Sequence, residues 1–98
     1  MLKHINKDEF TKEVLTSKET VLVDFYADWC GPCRMLGPVL EELSNEYNIY
    51  KVNVDNEEEL ARKYGIMSIP CVISFKDGNE HKRSVGLVDK ETLLELLK

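Results

Sequence analysis

The run Val21-Leu22-Val23-Asp24-Phe25-Tyr26-Ala27 carries almost no polar alternation. A strand with one wet face alternates apolar and polar residues, whereas a strand covered on both faces, as in a parallel sheet flanked by helices, does not. The run therefore predicts a layered α/β structure, with Asp24 as the single ionisable group inside the strand. Directly behind it stands Trp29-Cys30-Gly31-Pro32-Cys33. Two cysteines separated by two residues thus fall where a buried strand ends and a helix begins. Sulfurs at that spacing can close a small disulfide ring, and the thiol nearer the helix N-terminus faces unpaired N–H groups that favour a thiolate. This placement points to thiol–disulfide chemistry.

The remaining punctuation marks elements of one domain spanning residues 1–98, since there is no Gly/Ser linker, low-complexity tract or internal repeat. Asn6 with Glu9 reads as a capping box, and Phe10, Val14 and Leu15 continue a first helix to about Ser17. Leu36, Val39, Leu40, Leu43 and Tyr47 recur at three- and four-residue steps, giving an amphipathic helix from about Cys33 to Tyr47. Pro38 should kink it by removing the bond to the Arg34 carbonyl. The same periodicity assigns Met35 and Leu36 to the core. Ile49, Tyr50, Val52 and Val54 form the next buried strand, ending at Asp55, and a right-handed crossover makes it parallel to the first.

Asn56 with Glu59 suggests a second capping box for a helix that turns Leu60, Ala61 and Tyr64 inward and stops at Gly65. Cys71–Phe75 and Glu80–Gly86 flank an Asp77-Gly78 turn and form an antiparallel hairpin. Asp89 caps a last helix whose leucines, 93, 94, 96 and 97, must cover one face of the sheet. The expected order is β-α-β-α-β-α-β-β-α.

Composition removes several classes of function. Ninety-eight residues, 43% of them hydrophobic, make a domain that should bury roughly 60–65% of the surface its unfolded chain exposes. Thirteen Lys and Arg against 18 Asp and Glu leave a net charge of −5, a field that repels nucleic acid and anionic lipid. The opening Met1-Leu2-Lys3-His4-Ile5-Asn6-Lys7-Asp8-Glu9 places charges where a secretory signal would need an apolar core. No apolar stretch approaches the ~20 residues of a membrane span. These features predict a cytoplasmic address. Three cysteines are an odd count there, which argues against a disulfide scaffold and for a redox or metal pair plus a spare thiol, Cys71.

A structural zinc would need two further ligands from Cys71, His4 and His81, and those three lack metal-ligand spacing. His4 and His81 join no constellation and read as solvated. Trp29 stands before the turn either as a partly buried core aromatic or as part of the site. An Asp24 inside the core should have a raised pKa and exchange protons near neutrality. A single Asp in a strand also commonly points outward, and the residues alone leave both placements open.

Trp29-Cys30-Gly31-Pro32-Cys33, followed by Arg34-Met35, resembles the active-site motif of the thioredoxin family. Val23-Asp24-Phe25, Pro38, Lys51, Asp55, Lys63-Tyr64-Gly65-Ile66, Ile69-Pro70, Phe75-Lys76-Asp77-Gly78 and Val85-Gly86 fall in the family's order, so the resemblance covers essentially the whole chain. It implies a central mixed five-stranded sheet flanked by four helices. It implies that Cys30 attacks a partner disulfide and Cys33 resolves the mixed disulfide, leaving a Cys30–Cys33 bond that a thioredoxin reductase reopens. Cys30 would sit at the exposed mouth of the helix, with Cys33 one turn in and more shielded. The resemblance further makes Asp24 the buried acid that handles the Cys33 proton, Lys51 its charged neighbour, and Ile69-Pro70 a cis-proline beside the disulfide. Trp29, Gly31, Pro32, Ser68, Val85 and Gly86 would complete the docking surface for an extended partner segment.

The implied activity is reduction of protein disulfides by a monomer that needs no bound cofactor and serves as a general electron donor. Oxidases and isomerases of the family usually carry His between the cysteines, where this chain has Gly31-Pro32. A second rival is a thioredoxin-like binding module, against which the intact cysteine pair argues. Some positions depart from the family pattern. Cys71 replaces a usual Thr and, by strand alternation, should point away from the disulfide into the core. Met67 and Ser68 replace a basic or aliphatic residue and Gly, Tyr26 replaces Trp or Phe, and the loop between helix and strand at residues 46–50 is about four residues short.

Overall fold

The computed structural model describes residues 1–98. Its elements are β1 (Leu2–His4), α1 (Lys7–Glu9), β2 (Val21–Tyr26), α2 (Gly31–Leu43), β3 (Ile49–Asn53), α3 (Glu58–Lys63), β4 (Cys71–Lys76), β5 (Asn79–Val85) and α4 (Lys90–Leu96). This is the expected order, and it builds one mixed five-stranded sheet in the sequence β1-β3-β2-β4-β5. β1, β3 and β2 run parallel, and β4 and β5 are antiparallel to their neighbours.

Strand alternation divides the core in two. One face carries Val21, Val23 and Phe25 with Tyr50, Val52, Ile73 and Phe75, covered by Phe10 and Val14 before β2 and by Leu60 of α3. Phe10 and Tyr64 both meet the Phe75 ring edge-on, with centroids 5.4 and 5.2 Å away, pairs worth about 0.5–1.5 kcal/mol each beyond their burial. The other face carries Leu22, Ile49 and Val72 beneath Leu36, Leu40 and Leu43 of α2 and Leu93 and Leu96 of α4. β2 is central and covered on both sides, which is why its sequence lacks alternation.

The capping signals hold at three of four places. Asn6 and Glu9 make the reciprocal box, Asp89 accepts from the Thr92 N–H, and Gly65 ends α3 at φ +63°. Asn56 does not cap α3. The side chain of Asn53 takes the Asp55 N–H, the Asn53 carbonyl takes those of Asn56 and Glu57, and the Glu59 carboxylate is drawn to Lys7 at 2.9 Å. α3 therefore opens at Glu57 with no side-chain cap.

The first helix is also shorter than expected. After Glu9 it widens into a π-helical segment, Phe10–Val14, that puts both of those apolar side chains into the core. α2 runs through Pro38 without a break and ends at Leu43 rather than Tyr47, because tight turns over residues 44–46 deliver the chain to β3. Met35 is 65% exposed. It lies off the stripe of Cys33, Leu36, Leu40 and Leu43 that faces the sheet, so its periodic assignment to the core was one helical step out of phase.

In the hairpin, Asp77 and Gly78 both have positive φ, 52° and 79°, the conformation a two-residue turn between twisted strands requires. A Cβ at Gly78 would meet the Leu15 carbonyl oxygen at 2.6 Å, so this turn also packs against the end of the first helical segment.

Candidate active site

β2 ends at Tyr26, and the chain turns through residues 27–30 to open α2 with Cys30 as its N-cap. Pro32 near the helix start loses nothing by lacking an N–H, because the first helical donors have no intrahelical partner. Cys30 and Cys33 are disulfide-bonded, with their Cα atoms 5.2 Å apart. The Cys33 N–H donates to Cys30 Sγ at 3.2 Å, so the helix start directs a donor at that sulfur.

Cys30 is 4% exposed and Cys33 2%, and in this bonded state the expected contrast between an open and a shielded cysteine is slight. Ala27 packs against the pair, with Tyr26, Val54 and Ile69 around it. The Ile69–Pro70 peptide is cis, and the Ile69 carbonyl lies 3.8 Å from Cys30 Sγ. Neither the N–H nor the carbonyl of Ile69 is taken by a backbone partner, whereas the Pro70 carbonyl accepts from the Gly86 N–H at 2.7 Å. The structure thus brings Cys30, Ile69, Pro70 and Gly86 together.

Around them the surface is apolar and open: Trp29 is 69% exposed, Met67 94% and Val85 54%. Pro32 and Ser68 are exposed beside them, and Gly31 is half-buried. Trp29 is not a core aromatic; its indole Nε1–H donates to Asp55 Oδ2 at 2.9 Å. That bond fixes the ring on the rim of the site, and Asp55 was not singled out as a functional residue from sequence.

Asp24 is fully buried and faces the same side of the sheet as α2, which excludes the outward placement. Its nearest cation is Lys51 Nζ, 3.7 Å from Oδ2. That separation is an ion pair rather than a hydrogen bond, and neither carboxylate oxygen accepts one. Burial therefore dominates: it pushes the Asp24 pKa up from an ordinary 3.8 to about 6, against the opposing pull of the Lys51 charge. Lys51 also borders a cleft of about 240 Å³ together with Cys33, so the ammonium paired with Asp24 lines the same cleft as the inner cysteine of the pair.

His4 does not stand alone as expected. It lies opposite Lys51 in the β1–β3 register, and a 2.9 Å hydrogen bond joins its Nδ1 to the Tyr26 hydroxyl. Cys71 is buried in the core on the far face of the sheet, where burial raises its thiol pKa. It is separate from the active pair, as strand alternation predicted. No group of three or more His, Cys, Asp or Glu side chains converges to hold a metal ion.

The thioredoxin family model matches residues 1–98. Curated relatives include thioredoxins of Chlamydia caviae, 47% identical across 99% of this chain and 96% of that protein, and Mycoplasmoides gallisepticum, 42% identical across 99% and 100%. Among solved structures, a mutant thioredoxin from Halobacterium salinarum superposes with a TM-score of 0.90 at 37% identity, covering 98% of this chain and 87% of that one.

Proposed function

Because this chain belongs to the thioredoxin family and is a dithiol–disulfide oxidoreductase, a protein-disulfide reductase with Cys30 and Cys33 as its redox pair, we propose that it is a general cytoplasmic electron donor working as a monomeric, single-domain protein. The observation that carries this reading is the Cys30–Cys33 pair at the α2 N-terminus, set against the open main chain of Ile69.

In the reduced protein, the Cys33 N–H and the helix dipole favour negative charge on Cys30. The Cys30 thiolate attacks one sulfur of a client disulfide, forms a mixed disulfide, and expels the other client sulfur as a thiolate. Cys33 then gives its proton to the Asp24 carboxylate and attacks Cys30 Sγ. The Cys30–Cys33 bond forms and the second client thiolate leaves. Asp24 gives its proton up to one client sulfur and water protonates the other, so the client gains two electrons and two protons, and a thioredoxin reductase returns the electrons. Lys51 moderates the charge on Asp24.

An extended client segment docks by pairing with the free N–H and carbonyl of Ile69 beside Pro70. Trp29, Gly31, Pro32, Ser68, Val85 and Gly86 form the shallow surface beneath it. A cytoplasmic setting agrees with the unpaired, buried Cys71, and no helix is long and apolar enough to cross a membrane.

The electron source is tested by replacing dithiothreitol with a bacterial thioredoxin reductase and its reductant in an insulin-reduction assay. Sustained turnover dependent on this protein is the expected result. Turnover with dithiothreitol but none with several such reductases would overturn the recharging step.

A further inference from the structure

The Lys51 ammonium makes no hydrogen bond, yet it is confined between two partners. Asp24 Oδ2 lies 3.7 Å away on the inner side, and the Tyr26 ring face lies 4.4 Å from Nζ. The strand register produces this arrangement. His4 on β1 and Asp24 on β2 both stand opposite Lys51 on the intervening β3, and Tyr26, two residues beyond Asp24, shares its face. The Tyr26 ring is itself braced: its hydroxyl bonds His4 Nδ1 at 2.9 Å, and the two rings meet edge-on with centroids 5.7 Å apart.

A lysine on a four-carbon stem would leave this position if nothing covered it. Acceptors are near, since Asp28, Glu41 and Glu57 border the clefts that Lys51 lines, and Arg34 adds a competing cation. The aromatic face offers the ammonium an attraction that needs no carboxylate. We propose that Tyr26, braced by His4, is a positioning residue that holds the Lys51 ammonium against Asp24, and so sets how strongly that charge acts on the buried carboxylate.

The consequence for turnover rests on the reading of Asp24 as the proton acceptor, so the test measures the two separately. Asp24 is titrated by carbon-detected NMR, and the pH–rate profile of insulin reduction is recorded for the same proteins. Tyr26→Leu removes the ring, and the freed Lys51 should let the Asp24 midpoint rise by about half a unit to one unit. Tyr26→Phe and His4→Ala keep the ring but lose the brace and should give smaller rises. They also serve if Tyr26→Leu does not fold.

In a Lys51→Met background, which raises the midpoint by itself, Tyr26→Leu should add nothing, because its effect passes through the ammonium. An unmoved midpoint in the Tyr26 variants, or an equal increment with and without Lys51, overturns the positioning role. A moved midpoint with an unmoved pH–rate profile supports it and removes Asp24 from proton transfer.

Discussion

Replacing Cys33 with serine should turn the protein from a turnover catalyst into a covalent trap. The Cys30 thiolate keeps its N-cap position and its donor from the residue 33 N–H, so attack on a client disulfide proceeds. The second attack has lost its nucleophile. In the native protein that nucleophile is three residues from Cys30, with Cα atoms 5.2 Å apart, an intramolecular arrangement whose effective concentration no external thiol matches. Insulin reduction should therefore fall at least about 100-fold. Non-reducing electrophoresis and mass spectrometry should show client adducts that dithiothreitol dissolves. A Cys30→Ser/Cys33→Ser protein should show none. Clients bound equally by all three proteins, with no adduct, would instead describe a binding module.

Asp24→Asn should stabilise the protein while slowing it. The folded carboxyl titrates near 6 and the unfolded one near 3.8, so between those values the folded state binds more protons. Stability from this group is fully present below about 3.8, declines as pH rises through about 6, and stays low above. The separation of about two units corresponds to about 3 kcal/mol at neutral pH. Asparagine has no charge to bury, so urea unfolding at pH 7 should give a gain of about 2–3 kcal/mol that disappears near pH 3.5.

In the proposed mechanism the same substitution removes the acceptor for the Cys33 proton, so resolution of the mixed disulfide at pH 7 should slow by about 10–100-fold. In the native protein that step should weaken as pH falls through about 6, where Asp24 becomes protonated. A variant as fast as the parent at every pH would contradict the proton-acceptor role.

Much of this was legible in the chain, because the informative residues are local. The unalternating β2 run reported a strand covered on both faces, and Asp77-Gly78 reported its turn. Phases and partners were less legible. Met35 follows a plausible helical step but misses the buried stripe, since only the sheet decides which side of α2 is inward. Asn56-x-x-Glu59 has the letters of a capping box, but Lys7 is close enough in space to take the Glu59 carboxylate.

His4 looked isolated because its neighbours are 22 and 47 residues away and meet it only through the β1–β3–β2 register. Tyr26 was within reach, being two residues past Asp24 and so on its face. The burial of Asp24 followed from the family resemblance and not from the residues alone, because without α2 above it an aspartate in a strand is as compatible with solvent as with a core.

The most direct test of the account is insulin-disulfide reduction at pH 7 with dithiothreitol as donor, comparing the wild-type protein with Cys30→Ser. The wild type should accelerate reduction catalytically, and the variant should be indistinguishable from dithiothreitol alone. An inactive wild type, or a Cys30→Ser protein that retains the activity, would contradict the claim that this cysteine pair carries electrons to protein disulfides.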